Sequence, residues 1–317
     1  MRIVFMGTPE FAVPSLQALL DAGYPVVGVF TQPDRPKGRG KRLTPPPVKV
    51  LAQEHEIPVF QPERIRKTGL EDLRALKPDL CVTAAFGQIL SQEILDVPPL
   101  GNINVHASLL PRHRGAAPIA HAIMAGDPEA GVTTMQMDAG IDTGDMLLQE
   151  RVTIGETETC EELTARLSQV GGRLLLRTLK ALENGTLQAV PQDETLMTYD
   201  PMLSREMSFL DWRQDAVRVR GTINGLNPWP CVSVPVEDGR LKLLRAGLAQ
   251  EGGEAGQVLS ADPKTGLIVA CGSGSVRVLE VQAPGGKRMK AEDYLRGHRI
   301  EPGTNWQEQK TGDSSEN

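Results

Sequence analysis

Two short stretches of this sequence carry an amide, an imidazole and carboxylates that could act together on one carbonyl group. The first stretch reads NINVHASLLP and contains Asn104 and His106, two positions apart. In a β-strand such residues point to the same side. An amide donor beside an imidazole suits a reaction that builds negative charge on a carbonyl oxygen, because both can stabilise the oxyanion and the imidazole can move protons. Alone, the pair would also fit an Asn that caps a turn and a structural His.

The second stretch, MDAGIDTGD, offers three carboxylates, Asp138, Asp142 and Asp145, in a turn with two glycines. One of them could accept a hydrogen bond from His106 and thereby fix its tautomer. The spacing does not choose among the three, and a hairpin turn that uses Asp and Gly for their backbone freedom would look the same. The twelve-residue spacing of a calcium loop is absent.

A third stretch, RPKGRGKR, concentrates positive charge in a chain whose formal net charge is −6. Arginine side chains bind phosphates through paired hydrogen bonds, and a local patch outweighs more distant charges within a Debye length. The stretch therefore predicts a nucleic-acid contact, although a solvated surface loop is the simpler alternative. Its cations are Arg35, Lys37, Arg39, Lys41 and Arg42.

The elements that must position these groups alternate between strand and helix. Apolar runs at Arg2–Phe5, Pro25–Phe30, Leu80–Ala84 and Ile103–His106 predict strands, with helical spacing between them. This order favours an α/β fold with a parallel-rich sheet, which binds ligands at the carboxyl ends of its strands. The first turn reads GTPEFA and lacks the GxGxxG pattern of a dinucleotide site, which argues against a nicotinamide-dependent enzyme.

The chain of 317 residues is too long for one ordinary core, and its pattern changes after the middle. Beyond residue 206 short β-rich segments punctuated by Gly and Asp predict a small β-barrel. We predict a catalytic domain at residues 1–188, a linker at 189–206, a second domain at 207–305 and a frayed tail at 306–317.

Composition indicates a globular protein, with 40% hydrophobic and 23% charged residues. No apolar run approaches the roughly 20 residues that span a bilayer, and no signal peptide is apparent. The four cysteines are scattered without a CxxC pair, so we expect reduced thiols and no metal site. We expect a cytoplasmic protein without a membrane partner.

With these residues in view, the sequence resembles the methionyl-tRNA formyltransferase family over nearly its whole length. The resemblance runs from RIVFMGTPEFAVPSL through TQPDRPKGRGKRLTPPPVK, INVHASLLPRHRGAAPI and GVTTMQMDAGIDTGDM to INGLNPWP and GHRIEPGT. It implies a Rossmann-like N-terminal formyltransferase domain and a C-terminal OB-like domain that binds tRNA. It also implies formyl transfer from 10-formyltetrahydrofolate to the α-amino group of methionyl initiator tRNA, for translation initiation.

The resemblance also implies roles for single residues. The family's catalytic triad maps onto Asn104, His106 and Asp142. Its tRNA loop maps onto about Asp34 to Lys49, with the essential arginine at Arg39 or, less closely, Arg42. Its folate-binding motif maps onto Ser108, Leu109, Leu110 and Pro111.

From its own pattern, the stretch FGQIL after the third strand offers an apolar wall for a flat pterin ring, through Phe86, Gly87 and Ile89. Ordinary core followed by a turn would explain it equally well.

Three other functions remain open. A formyl-folate enzyme acting on a nucleotide sugar or a purine precursor would share the triad, but the basic loop and the second domain would then lack a purpose. An RNA-binding protein without activity would not need the triad, and a nicotinamide-dependent enzyme is disfavoured by the first turn. We expect a monomer, from the family alone. Initiation with formylmethionine implies a bacterial or organellar setting, and the absence of a transit-like N-terminus favours a bacterial cytoplasm.

Overall fold

The structure, a computed structural model, describes residues 1–37 and 42–307. These residues form two compact units, and each unit takes segments from both halves of the chain. The first unit comprises Met1–Gly115, Ala130–Val152 and Thr164–Asp200, and the second comprises Ala116–Glu129, Thr153–Leu163 and the chain from Pro201 on. The domain limits predicted from the sequence stay a prediction.

Up to Asp200 the described chain forms eleven strands and seven helices. The strands are β1 Ile3–Gly7, β2 Val26–Phe30, β3 Arg35–Lys37, β4 Arg42–Thr44, β5 Val59–Phe60, β6 Leu80–Ala84, β7 Asn102–His106, β8 Arg114–Gly115, β9 Glu129–Gln136, β10 Met146–Thr153 and β11 Tyr199–Asp200. The helices are α1 Val13–Asp21, α2 Pro47–Glu54, α3 Ile65–Thr68, α4 Leu70–Leu76, α5 Gln92–Leu95, α6 Pro118–Ala125 and α7 Cys160–Glu183.

The main sheet of the first unit has seven strands in the order β10-β9-β7-β6-β1-β2-β5. The pairs β1–β2, β1–β6, β2–β5 and β6–β7 are parallel, and β9 runs antiparallel to β7. Every residue of β1, β6 and β7 is buried. Complete burial of strands occurs where both faces of a sheet are covered, so the predicted α/β fold with a parallel-rich sheet is confirmed.

The chain beyond Asp200 adds six strands and two helices among its described residues. These are α8 Ala216–Gly225, β12 Val232–Val236, β13 Gly239–Ala249, β14 Val258–Asp262, β15 Gly266–Ala270, β16 Ser275–Gln282, β17 Arg288–Lys290 and α9 Ala291–Leu295.

The six strands of the second unit form one antiparallel sheet in the order β12-β13-β16-β15-β14, with β17 on β16. The long strand β13 shifts its register against β16 around Arg245. Such irregularities bend a strand and help a sheet to curl. The sheet encloses an apolar core that includes Trp212 and Trp306, whose ring centroids are 5.8 Å apart. The predicted OB-like second domain is confirmed.

Helix α6, although early in the chain, belongs to the second unit and packs on α8. Glycines permit the close approach. A Cβ atom on Gly221 would collide with the carbonyl oxygen of Ile123, and one on Gly225 would lie 2.8 Å from the carbonyl oxygen of Ala120. The backbones therefore touch where a larger residue would separate them.

Helix α7 begins with a capping box formed by Thr159 and Glu162. The backbone N–H of Thr159 donates to Glu162 Oε2 over 3.0 Å, and the N–H of Glu162 donates to Thr159 Oγ1 over 3.4 Å. The two residues thus satisfy donors that a helix start leaves unpaired.

The predicted linker contains ordered structure in its second half. A 3-10 turn spans Glu194–Leu196, and β11 pairs with β8 in the first unit. The segment has no hydrophobic periodicity because it is held by specific hydrogen bonds rather than by an apolar face.

The four cysteines are free thiols, as predicted. Within residues 1–37 and 42–307, none of the helices has the length and apolar character required to cross a membrane.

Candidate active site

Three side chains from separate segments meet at the carboxyl end of β7. Asn104 Nδ2 lies 3.5 Å from Asp142 Oδ1, and His106 Nδ1 lies 3.5 Å from the same oxygen. Asn104 and His106 are only 8% and 6% exposed. The structure therefore brings together the amide, the imidazole and one carboxylate that the sequence proposed as a triad.

Strand β7 gives Asn104 and His106 their common direction. It pairs with β6 through Thr83 and Asn104, and with β9 through Asn104 and Met135. Hydrogen bonding on both sides fixes the twist and register of β7, so alternate residues must emerge on the same face. The strand ends at His106, so both side chains lie at its carboxyl end.

The tautomer of His106 follows from its backbone neighbour. His106 Nε2 lies 2.9 Å from the carbonyl oxygen of His113. A carbonyl oxygen can only accept, so Nε2 carries a hydrogen. In the neutral ring Nδ1, which faces Asp142, is then the proton acceptor. The imidazole is thus set to take up a proton on the side of the carboxylate.

The three candidate carboxylates have different tasks. Asp138 Oδ1 accepts from the backbone N–H of Gly140 and from Thr143 Oγ1, over 3.0 and 2.6 Å, so this side chain shapes the turn. Asp145 is exposed. Asp142 Oδ2 accepts from the N–H of Gly115 over 2.9 Å, which leaves Oδ1 directed at Asn104 and His106.

Asp142 adopts a backbone conformation that few residues tolerate. Its φ is +54°, in the left-handed region. Asp enters this region more readily than most non-glycine residues. The same turn has no room for a side chain at Gly144, because a Cβ atom there would collide with the carbonyl oxygen of Gln136. The turn places Asp142 at the cost of local strain.

The proposed folate motif follows His106 directly and is tied down by polar contacts. Ser108 Oγ donates to the carbonyl oxygen of Arg112 over 2.8 Å. Gln149 Nε2 donates to the carbonyl oxygen of Leu110 over 2.8 Å, and Thr133 Oγ1 accepts from the N–H of Leu110 over 3.2 Å. The segment is therefore held rigidly beside the triad.

The proposed pterin-wall residues do not share one environment. Phe86 is 2% exposed and belongs to the apolar core beneath the sheet edge. Gly87 has a φ of +77°, and Ile89 is 68% exposed. Phe86 can thus support a wall from below, whereas Ile89 presents an apolar side chain to solvent.

A cavity of about 850 Å³ lies along the same edge of the sheet. Its lining includes residues that follow β1, β2 and β6, such as Thr8, Gln32 and Phe86. From β1 the chain adds β2 and β5 on one side of the sheet and then β6 and β7 on the other side, so the strand order reverses at β1. Open α/β sheets bind ligands at such a point. The hairpin β3–β4 closes one side through Arg35 and Thr44.

The predicted tRNA loop is described only in part. Arg35 and Arg42 are exposed residues of the hairpin β3–β4. The backbone of Lys37 pairs with that of Arg42. Arg39 and Lys41 lie outside the described residues.

The base of this hairpin is anchored by one partly buried cation. Lys49 Nζ contacts both carboxylate oxygens of Asp34, at 2.8 and 2.9 Å, and Gln61 Oε1 at 2.8 Å. Hydrogen bonds from Gln61 and Lys49 lower the pKa of Asp34. The hairpin therefore rises from a fixed base.

Sequence reasoning missed the polar residues that surround the triad. His113 Nδ1 lies 2.7 Å from Asp200 Oδ2, and Arg114 contacts Glu194 at 2.7 Å. Gln192 Nε2 contacts the carbonyl oxygen of Asp142 at 2.7 Å. Most of these partners come from the segment predicted to be a linker, where the only available signal was polarity.

Comparison with known proteins places this geometry in a family. The formyl transferase family model matches residues 1–179, and the formyl transferase C-terminal domain model matches residues 202–299. A curated methionyl-tRNA formyltransferase of Geobacter sulfurreducens is 49% identical over 305 residues, which cover 96% of each chain. The chain belongs to the methionyl-tRNA formyltransferase family. Another relative of that name, from Symbiobacterium thermophilum, is 49% identical over 96% of this chain and 94% of its own.

Solved structures share the fold of this methionyl-tRNA formyltransferase family member at low sequence identity. An N-formyltransferase from Helicobacter canadensis, in complex with folinic acid and dTDP-3-aminofucose, is 18% identical with a TM-score of 0.68, over 87% of this chain and 98% of that one. HypX from Aquifex aeolicus, in complex with tetrahydrofolic acid, is 18% identical with a TM-score of 0.61, over 96% of this chain and 50% of that one.

Proposed function

We propose that the protein transfers the formyl group of 10-formyltetrahydrofolate to the α-amino group of methionyl initiator tRNA. The observation that carries the proposal is the meeting of Asn104, His106 and Asp142 at one strand end. It occurs in a chain 49% identical, over 96% of its length, to a protein named methionyl-tRNA formyltransferase. The products are N-formylmethionyl-tRNA and tetrahydrofolate.

The triad acts on the carbonyl of the formyl group. The neutral amine of methionine adds to the formyl carbon, and the carbonyl oxygen gains negative charge. Asn104 donates a hydrogen bond to this oxyanion, and protonated His106 donates a second one while Asp142 stabilises its charge. The departing folate nitrogen then takes the Nδ1 proton of His106, because Nε2 is engaged with His113. A water molecule carries the proton of the attacking nitrogen to His106, which ends in the protonation state in which it began.

The co-substrate is placed by the rigid segment beside the triad. We assign it to Ser108, Leu109, Leu110 and Pro111, with Phe86, Gly87 and Ile89 forming the wall of the pterin site. The fixed backbone of Leu110, bound on both its N–H and its carbonyl, supports this assignment, since a preformed slot orients a flat ring. The proposed reaction needs no metal ion.

The acceptor is placed by charge. Arg35, Lys37, Arg39, Lys41 and Arg42 bind tRNA phosphates, which positions the nucleic acid without reading bases. Exposed Arg35 of the anchored hairpin lines the cavity at the sheet edge, which supports a site for the acceptor at this edge. We further propose a monomer that acts in the bacterial cytoplasm.

The test offers the purified protein 10-formyltetrahydrofolate with a labelled formyl group and three acceptors in parallel. These are methionyl initiator tRNA, a nucleotide-linked amino sugar and free methionine. We expect label only in the aminoacyl-tRNA, released as formylmethionine after hydrolysis of the ester. Label in the amino sugar, with none in the tRNA, would replace this function by sugar formylation.

A further inference from the structure

Gln192 makes three side-chain hydrogen bonds in the first unit, although its segment carries no sequence motif. Nε2 donates to the carbonyl oxygens of Asp142 and Gly144, both over 2.7 Å, and Oε1 accepts from Arg114 Nε over 3.0 Å. An amide nitrogen has two hydrogens, so both carbonyls are satisfied together. The opposite orientation of the amide would place its oxygen against two carbonyl oxygens, so the contacts define which end is which.

The bond to Asp142 matters because this residue is strained and its contacts are long. Asp142 has a φ of +54°, and a non-glycine residue keeps this backbone conformation only when the surrounding structure holds it there. Its carboxylate reaches Asn104 and His106 at 3.5 Å each, the outer limit for a hydrogen bond. A small rotation of the turn would therefore detach the carboxylate from both groups.

The bond to Arg114 ties this turn to the segment on the other side of His106. The carbonyl oxygen of His113 accepts from His106 Nε2, and the N–H of Gly115 donates to Asp142 Oδ2. Arg114, between them, is the residue that Gln192 binds. One amide thus joins the two segments that fix the imidazole and the carboxylate.

We propose that Gln192 is a positioning residue for formyl transfer, which holds Asp142 in register with Asn104 and His106. This inference rests on the proposed function. Gln192 contacts no reacting atom in this assignment, and it acts through the backbone of Asp142. Its loss should lower the rate of the bound complex rather than weaken substrate binding.

The test replaces Gln192 by Met, which has similar length but cannot donate to the two carbonyls. We expect kcat to fall about 10- to 100-fold, because misplacing a reacting group by about 1 Å can cost 100-fold. KM for methionyl-tRNA and for the folate should change less than about threefold, because the substitution leaves the substrate-binding residues unchanged.

The matched control is Asp193→Ala in the same segment. Asp193 caps the local 3-10 turn by accepting from the N–H of Thr195, and its side chain is exposed. We expect kcat of this variant within about twofold of the wild type, since a local cap away from the triad affects stability rather than positioning.

A second variant, Gln192→Glu, keeps the size and the acceptor toward Arg114 but loses the amide donors. Its kcat should fall as that of Gln192→Met does. If Gln192→Met does not fold, the kcat of Gln192→Glu tests the positioning role instead. Hydrogen–deuterium exchange of peptides covering residues 138–146 should become faster in both Gln192 variants and remain unchanged in Asp193→Ala.

Wild-type rates in both Gln192 variants, or unchanged exchange at 138–146, would overturn the proposal. A wild-type protein that formylates no methionyl-tRNA would instead reject the proposed function. In that case the exchange measurement still decides whether Gln192 holds the turn.

Discussion

At the scale of single residues, the proposed chemistry depends most on Asn104. We expect Asn104→Ala to lower the single-turnover rate about 100- to 1,000-fold, because losing one oxyanion donor typically costs about 2.7–4 kcal/mol. Affinity for tRNA should remain, since the side chain is buried at the strand end and contacts Asp142. Rapid-quench kinetics with saturating substrates measures the rate, and filter binding measures the affinity.

A rate within tenfold of the wild type would remove Asn104 from the mechanism. Exposed Asn184, which follows α7, supplies the matched Asn→Ala control, and its replacement should leave both quantities unchanged. Equal losses of rate and tRNA affinity in Asn104→Ala would indicate a damaged fold instead.

The sequence predicted which residue types form the site but not how many carboxylates take part. Spacing alone left Asp138, Asp142 and Asp145 equivalent, and only the family resemblance selected Asp142. The structure separates them through their partners, because Asp138 is engaged by Gly140 and Thr143 within its own turn. Such assignments depend on backbone conformation, which the residue types do not reveal.

At the scale of elements, the start of α7 makes part of the second unit's stability depend on pH. Burial disfavours the charged carboxylate of Glu162, but hydrogen bonds from Arg245 and Thr159 outweigh it and lower its pKa to about 2. A lowered pKa stabilises the fold above the ordinary value near 4.5, and this stabilisation disappears as the pH falls toward 2. Because the side chain is 45% exposed, we expect only about 1 kcal/mol.

The variant Glu162→Gln should therefore unfold about 1 kcal/mol more easily than the wild type at pH 7, with a smaller difference at pH 3.5. All three tryptophans, Trp212, Trp229 and Trp306, lie in the second unit, so their fluorescence during urea titration reports its unfolding. Neighbouring Glu161→Gln, which loses an exposed contact to Arg288, is the control. A difference that does not change with pH would contradict the assignment.

Elements with a strong apolar pattern were predictable, and those held by polar contacts were not. Strands β1, β2 and β6 are short, mainly apolar runs with most residues buried, so their composition indicates them. Strand β7 is indicated only by Ile103 and Val105 between its polar residues. Strand β11 and the turn before it are mostly exposed and are ordered by side chains such as Gln192 and Arg114. Their polarity predicted a linker because local sequence does not show distant partners.

At the scale of the whole molecule, a negative protein must bind a polyanion. The formal net charge of −6 disfavours tRNA binding, and we propose that the basic loop supplies the attraction. If the loop neutralises about four phosphates, affinity for tRNA should fall about 100-fold between 50 and 200 mM salt. Filter binding over this range measures the slope.

The loop is tested by Arg39→Ala, at a position outside the described residues. We expect weaker tRNA binding and a salt slope smaller by about one, with formyl transfer at saturating tRNA nearly unchanged. Arg74→Ala, which removes an exposed cation paired with Glu71, is the control and should alter neither. Affinity that does not respond to salt would contradict a phosphate grip.

The early helix that joins α8 has a consequence for how the polypeptide is made. Helix α6 leaves the ribosome well before α8, and the glycines of α8 must later pack against the backbone of α6. Until then the side chain of Met124 in α6, which packs against the apolar core of the second unit, has no cover from that core. A nascent chain that stops at Asp200 would thus contain an apolar helix without its packing partner. For the same reason, a gene fragment that ends between the two family regions would not encode a catalytic domain that folds by itself.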